Sequence, residues 1–114
     1  MRSSIAKLFS LVILAATFSL FTLTGIGSPS PNSAQEIYNR KCALCHGKDG
    51  SGNTHDGKKY KVPSVRVAVK KYSEAAMIKI VEEGKGANMD SYSDELSPTQ
   101  IKALVDYYRS LAKK

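Results

Sequence analysis

The sequence predicts an all-α domain, and three features support that prediction. Three segments place apolar residues at the three- and four-residue spacing of one helix face, and a serine suited to capping precedes each of them. Glycine-containing stretches without such spacing separate the segments. No convincing strand pattern of alternating apolar and polar residues is present. We therefore expect three main helices joined by irregular loops.

The N-terminal region does not belong to that domain. Two basic residues precede an uncharged, mostly apolar run over residues 8–23, and small residues and prolines follow it. This order is typical of a secretory signal, and the run is also nearly long enough to span a membrane. We predict a signal peptide or N-terminal membrane anchor at 1–27, a short Ser/Pro linker at 28–32 and the folded domain at 33–114. The protein is expected to be exported, and to contact a membrane only if residues 1–27 are retained.

The first helix is predicted to begin at Ser33. Ser33 and Glu36 have the spacing of a capping box, in which each side chain bonds the other residue's backbone N–H. Ile37, Tyr38 and Cys42 then follow at helical spacing. The next stretch, residues 47–63, contains four glycines and a proline, so it is predicted as a long loop that wraps a ligand.

The second and third helices have clear start signals. Ser73 is a suitable cap for the second helix, whose apolar face includes Met77 and which is expected to stop at Gly84. Ser97 caps the third, with proline at its first position and Gln100 completing a capping box. The apolar stripe of the third helix consists of Ile101, Leu104, Val105, Tyr108 and Leu111.

The only two cysteines of the chain lie three residues apart, in the segment KCALCHGKDG. On a helix, Cys42 and Cys45 share a face, so their thiols can reach two vinyl groups on one edge of a porphyrin. His46 follows directly and can turn under the ring to ligate iron. The pattern C-x-x-C-H is the signature of covalent c-type haem attachment, and an export signal provides the setting expected for it.

Two other sites use the same residue types. Cys42, Cys45, His46 and His55 could form a zinc site, although adjacent Cys and His ligands strain tetrahedral closure. A thioredoxin-like dithiol requires a strand before the motif, and no βαβ pattern is present. A structural disulfide is disfavoured because closing three residues constrains the unfolded chain little.

If haem is bound, the second axial ligand has three candidates. His55 lies close behind His46 in the loop, and Met77 lies on a helix face where core methionines are common. Met89 lies in an irregular segment that could carry its thioether to the iron. Ligation by His46 and Met89 would fill both axial positions and favour electron transfer over catalysis.

The charge pattern limits the classes of partner. The chain carries 17 Lys and Arg against 10 Asp and Glu, a formal net charge of +7. The basic residues are scattered and form no block with interleaved aromatics, so nucleic-acid binding has no support. Scattered lysines are usually solvated, and the alternative is a positive surface that steers the protein towards acidic redox partners. No acid, base or nucleophile constellation indicates an enzyme.

From about Ser33 to Leu111 the sequence resembles a small, single-haem class I c-type cytochrome of the bacterial periplasmic type. Tyr38 stands four residues before the first cysteine, where the family has an aromatic, and CALCHGKDG matches its attachment motif. Pro63 matches the proline whose carbonyl, in the family, accepts a hydrogen bond from the haem-ligating histidine. The resemblance implies the cytochrome c fold, with three main helices and irregular loops wrapped around one haem.

The ligand loop matches the family with one departure. The family pattern is Met-Pro-x-aromatic, and here Met89 is followed by Asp90, Ser91 and Tyr92. The closing segment LSPTQIKALVDYYRSL resembles the family's last helix, with Tyr107 where an aromatic packs against the first helix. The resemblance therefore implies Cys42, Cys45, His46, Pro63 and Met89 as cofactor-binding residues, with His46 and Met89 on the iron.

These observations predict a monomeric electron carrier with one covalently attached haem c, located in the periplasm or the thylakoid lumen, soluble or anchored to the membrane. Its expected partners are redox protein donors and acceptors with acidic docking surfaces. Asp90 raises an alternative, in which a labile Met89 lets a gas or peroxide reach the iron and the protein is a haem-based binding or sensor protein.

Overall fold

Helices account for all the regular structure in residues 33–114, the range that the computed structural model of the protein describes. The predicted signal or anchor and the linker lie outside the described residues. The α-helices are α1 Ala34–Lys41, α2 Ala43–His46, α3 His55–Lys59, α4 Val65–Lys71, α5 Glu74–Glu83 and α6 Pro98–Ser110, and short 3-10 turns cover Gly86–Asn88 and Leu111–Lys113. None of the helices between residues 33 and 114 combines the length and apolarity that a membrane crossing requires.

The three predicted helices are α1, α5 and α6, and each begins at its predicted serine cap. The Ser33 hydroxyl accepts from the Glu36 N–H at 3.3 Å, and Ser73 caps α5 in the same way. At α6 the box is complete, because the Ser97 hydroxyl accepts from the Gln100 N–H at 3.2 Å and the Gln100 side chain accepts from the Ser97 N–H at 2.9 Å. The all-α prediction is confirmed.

The segment predicted as one irregular loop is more ordered than expected. Within it the chain forms α3, whose cap is Thr54 with a hydroxyl that accepts from the Gly57 N–H at 2.8 Å. A Cβ atom at Gly57 would lie 2.2 Å from the Gly52 carbonyl oxygen and 2.4 Å from that of Cys45. Glycine therefore lets α3 pack directly against the backbone of the C-x-x-C-H segment. Helix α4 follows immediately after this loop.

The core forms where α6 packs against both α1 and α5. Tyr38 of α1 is 1% exposed, and its ring meets that of Tyr107 edge-on at a centroid distance of 5.3 Å. This contact confirms the predicted packing of Tyr107 against the first helix. Three buried residues of the α6 stripe complete the core, namely Ile101, Leu104 and Val105.

Candidate functional site

A largely apolar cleft extends from the Cys-His segment to the segment after α5. It consists of two cavities, with about 680 Å³ and about 900 Å³ of empty space, partly open to solvent. The two cavities adjoin, because five residues line both: Cys42, His46, Pro63, Lys85 and Met89.

One helical turn presents the two thiols. Cys42 ends α1 and caps α2, and its carbonyl accepts from the N–H groups of Cys45 at 3.2 Å and His46 at 2.9 Å. Both cysteines are free thiols. Burial raises the pKa of Cys42 to about 11 and, with Asp56 nearby, raises that of Cys45. The two thiols lie on one turn beside the cleft, where both can reach one edge of an apolar group bound there.

The imidazole of His46 is held at the cleft by packing. Its ring meets the Tyr108 ring edge-on at a centroid distance of 5.3 Å and an angle of 78°. Burial lowers the pKa of His46 and favours the neutral ring, which is the form that ligates a metal. Its Nδ1 atom is buried and has no hydrogen-bond partner among residues 33–114.

Pro63 lies in the cleft but does not form the bond that the family resemblance implies. It lines both cavities beside His46. The expected hydrogen bond from His46 Nδ1 to the Pro63 carbonyl is absent from the described residues, since Nδ1 has no partner there. The edge-on contact with Tyr108 helps to orient the His46 ring. The apolar stripe of α6, which includes Tyr108, was the only sequence signal for this contact.

The three candidates for the second axial ligand occupy different surroundings. His55 is exposed at the start of α3 and lines neither cavity. Met77 is 6% exposed in the core on α5 and lines the first cavity only. Met89 is partly buried, extends from the 3-10 turn and lines both cavities together with His46. The structure therefore brings Met89 to the part of the cleft that His46 and Cys42 share.

The residues considered as zinc ligands do not form one site. Within the described range 33–114, no three or more His, Cys, Asp or Glu side chains converge in a group that could hold a metal ion. His55 is the first residue of α3 and is exposed to solvent, and it lines neither cavity.

Basic and phenolic groups lie around the cleft. Lys41 and Lys61 line the second cavity and Lys85 lines both. The Lys85 ammonium donates to the Tyr72 hydroxyl at 2.6 Å and lies 4.5 Å from the centre of its ring. This hydrogen bond lowers the pKa of Tyr72. Tyr72 was not predicted, because a tyrosine just before the cap of α5 carries no sequence signal for a cleft.

The lining and the donor set fit haem. The first cavity is lined almost entirely by apolar side chains, as a porphyrin face requires, and a neutral imidazole and a thioether share the cleft. The two thiols stand beside them on one helical turn. A C-x-x-C-H motif at the edge of such a cleft, in a helical fold, is typical of a c-type cytochrome.

Comparison with known proteins identifies the family within this class to which the chain belongs. The chain belongs to the family described as cytochrome c oxidase, cbb3-type, subunit III, whose model matches residues 29–107. It is 33% identical over 86 residues to the cbb3-type cytochrome c oxidase subunit FixP of Azorhizobium caulinodans, covering 74% of this chain and 28% of that protein. It is 32% identical over 79 residues to FixP of Bradyrhizobium diazoefficiens, covering 68% of this chain and 26% of the relative.

A solved structure supports the same class. The KustC0563 c-type cytochrome superposes with a TM-score of 0.64 at 27% identity, covering 69% of this chain and 96% of that one. The predicted cytochrome c fold and covalently attached haem c are thereby confirmed, and the Cys42–Cys45 pair fits the attachment motif. The chain spans only about a quarter of the length of its curated relatives.

Proposed function

We propose that the protein is a single-haem electron carrier that transfers one electron at a time between redox proteins. The observation that carries this proposal is that His46 and Met89 line the same apolar cleft. With both residues on the iron, no coordination position is left open for a substrate. A closed His/Met site favours electron transfer over bond chemistry.

Each site residue has a distinct role in this proposal. Haem, when bound, supplies an iron that accepts and returns one electron. Cys42 and Cys45 would hold the porphyrin through thioethers, and His46 and Met89 would ligate its iron. Pro63 lines the cleft beside His46. The apolar side chains exclude water, so that little solvent has to reorganise when the charge of the site changes.

The lysines beside the cleft support a docking role. Lys41, Lys61 and Lys85 line the second cavity against one acid, Asp90, and Lys41 is ion-paired with Glu95. The remaining excess of positive charge would attract acidic redox proteins. The named relatives are subunits of cbb3-type oxidases, so we include an oxidase of that kind among the proposed partners. We place the protein in an exported compartment, the periplasm or the thylakoid lumen, as a monomer that is soluble or anchored through residues 1–27.

Small redox probes of opposite charge test the docking surface. An anionic oxidant such as ferricyanide should oxidise the reduced protein more slowly as ionic strength rises, and a cationic cobalt complex should do the opposite. Lys61→Gln should slow the ferricyanide reaction, whereas Lys113→Gln, at a residue that lines neither cavity, should not. Equal salt dependence for both probes would contradict a positive docking face.

A redox titration combined with carbon monoxide mixing tests the carrier function. We expect a single reversible one-electron transition and slow binding of carbon monoxide to the reduced protein, because Met89 must leave first. Fast binding to the native protein would favour the gas- or peroxide-binding alternative. A protein without a Soret band would contradict both functions.

A further inference from the structure

The segment that carries Met89 also completes the end of α5. The last carbonyls of a helix have no partner within the helix and must find one elsewhere. The Val81 carbonyl accepts from the Tyr92 N–H at 3.0 Å, and the Glu82 carbonyl accepts from the Ser91 hydroxyl. Two of the orphan carbonyls of α5 are therefore satisfied by the residues that follow Met89.

Gly84 lets this segment lie directly on the helix end. It has a φ of +78°, and a Cβ atom there would lie 2.7 Å from the Met89 carbonyl oxygen, 2.9 Å from the Ser91 nitrogen and 3.0 Å from the Asp90 carbonyl carbon. All three are backbone atoms, so no side-chain rotation could make room. The Met89 carbonyl also accepts from the Lys85 N–H at 2.8 Å. The backbone at Met89 is thus held on both of its sides by residues 81–85.

The same segment is tied to the other end of the cleft. The Tyr92 hydroxyl donates to the Lys41 carbonyl at 3.3 Å, and Lys41 forms an ion pair with Glu95. Lys41 is the last residue of α1 and directly precedes Cys42. The segment around Met89 therefore bridges α5 and the end of α1, next to the first haem-attaching cysteine.

We propose that Gly84 and Ser91 are positioning residues for Met89, and that they replace the rigidity that a proline after the methionine would provide. Proline would fix the backbone angle φ at this position and would lack an N–H. Asp90 does neither and is exposed, so the residue itself does not constrain the backbone. The constraint comes from the contact with Gly84 and the hydrogen bond of Ser91. The proposal rests on the axial role of Met89 given above.

A pair of alanine substitutions tests the contribution of Gly84. Gly84 and Gly86 both have a positive φ, +78° and +59°, so Gly86→Ala controls for a Cβ atom placed at a positive φ. Gly84 also has a ψ of −176°, a conformation nearly restricted to glycine, so Gly84→Ala adds backbone strain of its own at the segment that carries Met89. Only at Gly84 does the new Cβ meet other atoms, because none lies within 4 Å of it at Gly86. Gly84→Ala should therefore weaken the far-red charge-transfer band that reports methionine sulfur on ferric iron, and Gly86→Ala should keep it.

Carbon monoxide binding to the reduced variants gives a second readout. The Gly84→Ala protein should bind carbon monoxide about tenfold faster than the Gly86→Ala protein. A tenfold change corresponds to a loss of about 1.4 kcal/mol in the free energy that favours iron-bound over detached Met89. If both variants keep the band and bind carbon monoxide at the same rate, Gly84 has no positioning role.

Ser91→Ala tests the same idea without crowding the backbone, so it remains informative if Gly84→Ala does not fold. Its control is Ser93→Ala, which removes only the neighbouring hydroxyl, 3.1 Å from that of Ser91. Ser91→Ala should accelerate carbon monoxide binding and Ser93→Ala should do so less. Equal rates for the two serine variants would overturn the role of Ser91.

Met89→Ala separates this inference from the proposed ligand set. Loss of the far-red band in Met89→Ala, with the band unchanged in Gly84→Ala and Ser91→Ala, would overturn the positioning role and leave Met89 as the ligand. Retention of the band in Met89→Ala would overturn the ligand itself, and with it the proposal that rests on it.

Discussion

The hydroxyl of Tyr38 links the first helix to the turn that follows the haem-attachment motif. Tyr38 is 1% exposed, and its hydroxyl donates to the Gly47 carbonyl at 2.7 Å. Tyr38→Phe removes this bond and leaves the ring in place against Tyr107 at 5.3 Å and Tyr108 at 6.0 Å. The substitution therefore isolates a single buried hydrogen bond beside the site.

The expected cost is about 1 kcal/mol in the free energy of unfolding, the usual net value of one hydrogen bond. The larger penalty for an orphaned buried carbonyl does not apply, because the Gly47 carbonyl also accepts from the Gly50 N–H at 3.0 Å. For a domain of this size, a loss of about 1 kcal/mol lowers Tm by about 4–8 °C.

Urea unfolding of the haem-loaded protein, followed by far-ultraviolet circular dichroism, measures this cost. Tyr107→Phe is the matched control, since it makes the same chemical change at a half-buried tyrosine for which no hydroxyl hydrogen bond is formed within residues 33–114. We expect the control to change the free energy of unfolding by less than about 0.5 kcal/mol. Equal stability of the two variants would refute the reasoning, because the bond to Gly47 would then contribute nothing.

Three further predictions concern the core, the loop under the motif and the alkaline limit of stability. Met77→Ala should lower the free energy of unfolding by about 2–5 kcal/mol in a urea titration while the far-red methionine band persists, since Met77 is buried in the core and the proposed ligand is Met89; loss of the band would contradict this. Gly57→Ala should cost about 1–3 kcal/mol in the same assay, because its Cβ would meet the carbonyls of Gly52 and Cys45; wild-type stability would show that α3 can move. Burial raises the pKa of Tyr108 from 10.0 to about 12, so the unfolded state ionises first and stability should fall as pH rises through that interval. Tyr108→Phe should flatten the fall in urea titrations across this range, and an unchanged slope would exclude Tyr108 as its source.

The helices that could be predicted are those whose signals are local. Ser33, Ser73 and Ser97 each cap a helix through a backbone N–H three residues later, and the apolar spacing that follows lies within the same short segment. Such signals do not depend on the rest of the chain. The sequence was therefore sufficient for α1, α5 and α6, and for the all-α class.

The two helices that were missed depend on tertiary contacts or have a misleading pattern. In α4, Val65, Val67 and Val69 lie two residues apart, which obscures the helical period, and the buried positions are Val65 and Ala68, three residues apart on a helix face. Val67 is 54% exposed. Helix α3 has five residues, which are too few for a helical period to be visible in the sequence. It packs against the backbone of Gly52 and Cys45.

For the site, sequence was informative where the chemistry lies in adjacent residues. Cys42, Cys45 and His46 are neighbours, so their common position at the cleft follows from one helical turn. Tyr72, at the end of α4, and Tyr108, on α6, reach the cleft through the packing of the helices, which no short motif encodes.

The optical spectrum of the ferric protein, compared with that of Met89→Ala, tests the ligand set most directly. We predict a Soret band that survives denaturation, because the haem is covalently held, and a far-red methionine band that is present in the native protein and absent from the variant. A native spectrum without the far-red band, or one that Met89→Ala leaves unchanged, would contradict the claim that His46 and Met89 together close the iron.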